Sequence, residues 1–215
     1  MAKSQDEVFA AVLAAAKGML ETGITAGTSG NVSARLDDGH IVITPSSVPY
    51  PRMMPGDLAV LDLDGRQVGG PAPPSSETQL HLACYRAFAE IGAVLHSHPP
   101  HATMFACARK PVPPVIDEAA AFVGGAVPVA DYAVSGSAEV GANAVRILRG
   151  VGSALLASHG LVTVAATPEK ALHQAGVVEH CARVAWGVQV LGGYVPLPER
   201  TLHELGEAYR YLRAH

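Results

Sequence analysis

Ala93-Val94-Leu95-His96-Ser97-His98-Pro99-Pro100 is a short apolar run that ends in two histidines and stops at two prolines. It reads as a strand closed by breakers. A second run, Ala154-Leu155-Leu156-Ala157-Ser158, leads into His159-Gly160, so two apolar strands end in histidine. Between them a helix is predicted over about 138–148. Thr167-Pro168 after them is an N-cap followed by proline at the first helical position, opening a long helix to about Leu191. Upstream, Ser4 with Glu7 three residues on is a capping-box pattern for a helix over Val8 to Leu20, stopped at Thr22-Gly23. Val32 to Leu36, the turn Asp37-Asp38-Gly39 and the strand-like Ile41-Val42-Ile43-Thr44 read as a hairpin. Leu58 to Asp62 adds more sheet before the Gly/Pro connector Gly69 to Pro74, and Ser75 and Ser76 stand where the N-cap of a second helix belongs. Pro198 starts a final helix toward Arg213. Strands in hairpin-like runs as well as beside helices predict one α+β domain over 1–215, with a mixed, mainly antiparallel sheet flanked by helices.

Composition narrows the function. With 49% hydrophobic and 16% charged residues over 215 positions, the chain carries enough apolar matter for a core and is no disordered tail. A net charge of −4 without a Lys/Arg cluster excludes the electrostatic footprint of nucleic-acid binding. No stretch reaches the roughly 18 apolar residues of a membrane span, and Met1 to Glu7 is acidic early, unlike a signal peptide, so a cytoplasmic protein is expected. Cys84, Cys107 and Cys181 are odd in number and far apart, which is expected of reduced core thiols rather than a disulfide or metal knuckle.

Side chains alternate faces along a strand, so His96 and His98 project to the same side about 7 Å apart. Both imidazoles can converge on one ion. Zinc takes three or four N, O or S ligands and, in a catalytic site, keeps one position open. His159, closing the other strand, is the natural third ligand. Glu77 could be a fourth ligand or a base beside the metal, and His101 falls outside the shell. Other users of His-x-His do not fit: a metallo-β-lactamase pattern wants an acid where this chain has Pro100, and an amidohydrolase barrel wants about 250 residues in eight βα units.

A second constellation is polar and uncharged: Thr28-Ser29-Gly30-Asn31, then Thr44, Ser46 and Ser47, then Ser75 and Ser76. Each lies at an element boundary, where turns and caps recruit the same residues. Backbone N–H groups in Gly-rich turns, hydroxyls and a helix N-terminus can also hold a phosphate monoester without any lysine.

Taken together and in order, Gly27-Thr28-Ser29-Gly30-Asn31-Val32-Ser33, Ile43-Thr44-Pro45-Ser46-Ser47, Pro74-Ser75-Ser76-Glu77, His96-Ser97-His98 and Ser158-His159-Gly160 resemble the class II aldolase and adducin family, in particular its L-fuculose-1-phosphate aldolase branch. The resemblance spans nearly the whole chain. It implies a three-layer α/β/α fold and a homotetramer with active sites at subunit interfaces. It also implies one zinc per subunit on His96, His98 and His159, with Glu77 a resting ligand that turns into the general base. By the same resemblance Thr28, Gly30, Asn31, Thr44, Ser75 and Ser76 would hold a substrate phosphate. Where fuculose-specific members carry a tyrosine from the neighbouring subunit, this chain reads Ile116-Asp117-Glu118. Glu118, and after it Asp117, is therefore the candidate acid or base at the C4 oxygen, against a simple helix-capping role. Tyr211 or Tyr209 of the last helix would reach a neighbouring site.

The implied reaction is cleavage of a ketose 1-phosphate to dihydroxyacetone phosphate and a short aldehyde. A decarboxylase, a dehydratase or a 4-epimerase on the same residues is the alternative. A non-catalytic module like the adducin head is the alternative of another class, and the intact histidines argue against it.

Overall fold

The computed structural model describes residues 4–214, with side chains to Tyr211; Met1 to Lys3, part of the stretch read above as no signal peptide, lie outside the described residues. In chain order the elements are α1 (Gln5–Glu21), β1 (Asn31–Arg35), β2 (Ile41–Ile43), β3 (Ala59–Leu61), β4 (Gln67–Gly69), α2 (Thr78–Ala87), β5 (Ala93–Ser97), α3 (Pro100–Ala108), α4 (Asp117–Val123), β6 (Val129–Ala130), α5 (Ala138–Ile147), β7 (Ser153–Leu156), β8 (Gly160–Ala165), α6 (Pro168–Val190) and α7 (Glu199–Ala214). The strands form one sheet in the order β4-β3-β2-β1-β5-β8-β7-β6. Every neighbouring pair is antiparallel except β6 and β7.

Period-two alternation distributes the sheet's side chains between two cores. Ala93 and Leu95 of β5 face one core with Val12 and Met19 of α1, Ala102 of α3, Ala119 of α4 and Val178 of α6. Val94 between them faces the other, with Leu80, Leu82 and Tyr85 of α2 and Val140 and Ala144 of α5. Helices thus cover both faces, α7 packing outside α4, and the expected three-layer α/β/α arrangement around a mainly antiparallel sheet is present. Each buried Val, Leu or Met side chain among these stabilises the layers by about 1.5–3 kcal/mol.

The ends of α1 and α6 follow the sequence signals. Ser4 Oγ accepts from the Glu7 backbone N–H at 3.3 Å while the Glu7 carboxylate accepts from Ser4 N–H at 2.8 Å. Thr167 Oγ1 accepts from Lys170 N–H at 3.2 Å.

Three expectations are corrected. Helix α2 is capped by Glu77, not by Ser75 or Ser76. Ser75 instead accepts the Glu77 N–H at 3.2 Å in a local turn, which spends its hydroxyl one step before the helix begins. The apolar run at 154–158 stays extended only to Leu156, because Ser158 sits in the left-handed region at φ 53° and closes a hairpin to β8. Cys107 is no core thiol: it is exposed on α3, whereas Cys84 and Cys181 are buried. Helices α3 and α4 and strands β4, β6 and β8 had no expectation. The Pro99-Pro100 pair that ends β5 also starts α3, since proline fits a first helical turn as well as it ends a strand.

Candidate active site

His96 comes from β5, in the middle of the sheet, its Cα opposite Asn31 of β1 on one side and Val162 of β8 on the other. His98 follows the end of that strand, where its backbone N–H donates to Ile24 O at 3.1 Å. His159 lies in the β7–β8 turn, which the pairing of Leu156 with Gly160 makes tight. The sheet therefore delivers all three rings to one point: centroids are 4.7 Å apart for His96 and His98, 4.6 Å for His96 and His159, and 5.2 Å for His98 and His159. Their nearest ring nitrogens lie within 4.8 Å of one another.

The electrostatics suit lone-pair donors. His96 Nδ1 is 2.9 Å from Leu161 O, so it carries the proton and leaves Nε2 as a lone pair. Burial, then the neighbouring His98 and His159, holds the His96 pKa well below the ordinary imidazole range. Burial, then His159, lowers His98, with Glu77 opposing. His98 Nε2 and His96 Nε2 are 2.9 Å apart, an approach that is favourable only with a proton or a cation shared between them.

Glu77 supplies the complementary charge. It is 4% exposed, its Oε1 accepts a hydrogen bond from Ser135 Oγ and lies 4.0 Å from His159 Nε2. Its Oε2 is buried without a hydrogen-bond partner among the described residues. A buried carboxylate oxygen with no donor is costly unless a cation completes it. Three convergent imidazoles and this orphaned oxygen therefore fit a divalent cation of the nitrogen- and oxygen-binding kind. Two glycines make room for the arrangement. A Cβ on Gly160 would stand 2.5 Å from Ser97 O and 2.6 Å from His98 Cδ2, and one on Gly30, at φ +82°, would stand 2.8 Å from His96 O.

The cluster forms the floor of a cleft of about 270 Å³. One wall is the loop Thr28-Ser29-Gly30-Asn31; another is Pro45-Ser46-Ser47; a third is Ser75-Ser76 at the N-terminal end of α2, with Ser135 closing beside Glu77. Among the described residues no lysine or arginine lines it, so the walls offer hydroxyls, backbone amides and a helix terminus to whatever binds. Tyr50 stiffens the first wall, its hydroxyl reaching Gly30 O at 2.6 Å and Ser29 O at 3.1 Å.

Of the sequence candidates, Thr28, Gly30, Asn31, Ser75, Ser76, Glu77, His96, His98 and His159 line this cleft. Thr44 does not. Its hydroxyl accepts the Val32 N–H at 3.2 Å and its carbonyl accepts from Ser75 N–H at 3.2 Å, so it ties two walls together from behind. Ser46 and Ser47 are the surface of that wall. Ser135 had no part in the sequence reading; its only local signal is the Ser135-Gly136 turn ahead of α5. His101 stays outside the cluster, though not for want of a partner: its Nδ1 pairs with Glu179 at 2.7 Å.

Asp117 and Glu118 are exposed in the first turn of α4, whose cap residue Ile116 makes no side-chain cap. Glu118 is near enough to α6 to raise the Cys181 thiol, which burial first and that charge second push up to about 11. Tyr209 packs against Gly124 and Gly152, and Tyr211 is 64% exposed. None of these four lines the cleft of its own chain.

Comparison with known proteins agrees with this geometry. Residues 10–186 match the family described as the Class II Aldolase and Adducin N-terminal domain. A 5-deoxy-D-ribulose 1-phosphate aldolase of Bacillus thuringiensis serovar kurstaki is 32% identical over 199 residues, covering 92% of this chain and 93% of the relative. An L-fuculose phosphate aldolase of Escherichia coli O6:H1 is 35% identical over 166 residues, covering 77% and 76%. A solved L-fuculose 1-phosphate aldolase superposes with a TM-score of 0.91 at 32% identity, covering 97% of this chain and 98% of that one. By sequence along most of its length, and by the fold that carries its three histidines, the chain belongs to the class II aldolase and adducin family.

Proposed function

We propose that this chain is a cytoplasmic, zinc-dependent aldolase that cleaves a ketose 1-phosphate, of the L-fuculose or 5-deoxypentulose kind, into dihydroxyacetone phosphate and a short aldehyde. The observation that carries the reading is the orphaned Glu77 Oε2 beside three convergent histidines, at the floor of a cleft walled by hydroxyls and amides. Zinc on His96, His98 and His159 supplies Lewis-acid stabilisation of the negative charge left on the substrate oxygens when the C3–C4 bond breaks.

The chain's own residues do the rest. Thr28, Gly30, Asn31, Ser75 and Ser76 hold the phosphate, with Ser46 and Ser47 on the opposite wall, and α2 adds the partial positive charge of its N-terminus. Anchoring that end fixes C3 over Glu77. In the cleavage direction the C4 hydroxyl loses its proton, the C3–C4 electron pair stays with C3, and Glu77, which takes up a proton from solvent before cleavage, passes that proton to C3. Glu77 begins this cycle as a fourth metal ligand or as a base beside the site, held in either case by Ser135.

The group that accepts the C4 proton comes from a second copy. Glu118 is exposed and absent from its own cleft, as is Tyr211; a homotetramer that brings α4 and α7 of one subunit to the cleft of the next puts both to use. The test is a coupled assay of dihydroxyacetone phosphate release from L-fuculose 1-phosphate and 5-deoxyribulose 1-phosphate, with zinc-loaded and chelator-treated protein. Metal-dependent release from either sugar is expected. Zinc binding without release from either would overturn the aldolase in favour of a decarboxylase, dehydratase or epimerase, and failure to bind metal would leave an adducin-like module.

A further inference from the structure

Behind the cleft lies a buried row of polar side chains, of which the chemistry above uses only Asn31. His81 of α2 is fully buried. Its Nε2 is 2.5 Å from Asn31 Oδ1 and its Nδ1 is 2.6 Å from Ser33 Oγ. Ser33 Oγ is in turn 2.8 Å from the Tyr85 hydroxyl. The row crosses from the second turn of α2 to β1 and ends at Asn31, which lines the cleft.

We propose that this row is a directed relay, Tyr85 to Ser33 to His81 to Asn31, whose purpose is to lock the Asn31 amide with its NH2 group, not its carbonyl, presented to the cleft as a donor for the anionic end of the substrate. The direction follows from counting protons. The Asn31 oxygen lies against His81 Nε2, so Nε2 carries the single proton of a neutral imidazole and donates to Asn31 Oδ1. Nδ1 is then a bare lone pair that takes the Ser33 O–H, and the Ser33 oxygen in turn takes the Tyr85 O–H. Burial keeps the ring neutral, lowering its pKa to about 3. The opposite tautomer would draw the Asn31 NH2 back toward His81 and turn its carbonyl oxygen into the cleft, where it would repel a phosphate. His81 and Ser33 are thus positioning residues: they touch no substrate, yet they decide whether Asn31 attracts or rejects an anion. Fixing the amide by a buried chain also removes its freedom to flip, so the donor is in place before binding.

That the anion is a phosphate rests on the function proposed above; the direction of the relay does not. The first measurement is therefore the ring ¹⁵N spectrum of His81 in the metal-loaded wild-type protein, assigned by comparison with His81→Gln. A protonated Nε2 and a bare Nδ1 are expected. A protonated Nδ1 would overturn the relay whatever the protein binds. The second measurement is the affinity for inorganic phosphate. Gln at 81 keeps an N–H donor within reach of Asn31, whereas Leu fills the volume with none, so His81→Leu is expected to weaken phosphate about tenfold and His81→Gln to recover most of that. Zinc content should be the same in all three, which a general loss of structure would not give. If His81→Leu does not fold, Tyr85→Phe replaces it, with a smaller loss of phosphate affinity expected. Equal phosphate affinity for wild type and the variants would refute the positioning role. A wild type that shows the protonated Nε2 but binds no phosphate would remove the phosphate reading of the cleft and leave the relay standing.

Discussion

Gly160→Ala is the sharpest test of how the metal cluster is built. Gly160 opens β8 directly after His159, and its backbone needs no left-handed conformation, so any effect of the substitution is steric. The added Cβ would meet Ser97 O at 2.5 Å and His98 Cδ2 at 2.6 Å, with His96 Cε1 at 3.4 Å. Ordinary contacts require roughly 1 Å more than the first two distances. Ser97 is strand backbone, so the easier movement is of the His98 ring or of the turn that carries His159. Either shift greatly exceeds the ±0.2 Å or so that metal–ligand distances tolerate. Overpacking of this kind costs about 1–3 kcal/mol of stability. One ligand pushed out of place should lower zinc affinity at least tenfold, the scale seen when the partners that orient metal ligands are lost. Competition with a chromophoric chelator measures the affinity and thermal unfolding of the metal-free protein measures the strain. Gly176→Ala is the control. It lies inside α6 with nothing within 4 Å of an added Cβ, and should raise stability by about 1 kcal/mol without touching zinc. A Gly160→Ala protein with wild-type zinc affinity would refute the claim that close approach of β8 to the end of β5 assembles the site.

Two further outcomes follow from the same geometry. Glu77→Gln should keep the fold, because the amide can still accept from Ser135, but it removes the charge and the proton carrier; turnover should fall by at least about 100-fold with a much smaller change in KM, and an unchanged kcat would remove Glu77 from the chemistry. His81, lowered by burial from 6.5 to about 3, makes metal-free stability fall with acid: the folded state stays unprotonated while the unfolded state takes up a proton below about pH 6.5, so its contribution is complete above that pH and is lost as pH falls toward 3. Between pH 6.5 and 5 this amounts to about 2 kcal/mol; denaturant titrations at the two pH values should show it in wild type, and a slope unchanged in His81→Gln would contradict it.

Much of this protein is written locally. The capping box at Ser4, the Thr167-Pro168 start of α6, the Asp37-Asp38-Gly39 turn and the period-two apolar runs specify their elements from neighbours within a few residues. His96 and His98 share a face of one strand, so their pairing too is local. Other features depend on what packs against what. His159 is 61 residues from His98, and Glu77 lies 19 residues before His96; they meet only because β5 pairs with β8 and α2 begins beside the same cleft. Ser135 joins Glu77 from a loop with no sequence signal beyond a turn. Thr44 and its neighbours Ser46 and Ser47 are all plausible phosphate ligands by type, yet pairing with Val32 turns the Thr44 hydroxyl to the back of the wall and leaves the serines in front. The hydroxyls of Ser33 and Tyr85 and the ring of His81 look like ordinary strand and helix residues in the chain, and only their burial between β1 and α2 makes them one row. What the sequence by itself determined was the set of elements and the chemical character of the site, because propensity, capping and side-chain type act over a few residues. Which polar groups converge, which turn away and which way each is held was decided by the tertiary structure, because those outcomes depend on contacts between segments far apart in the chain, and no local pattern encodes them.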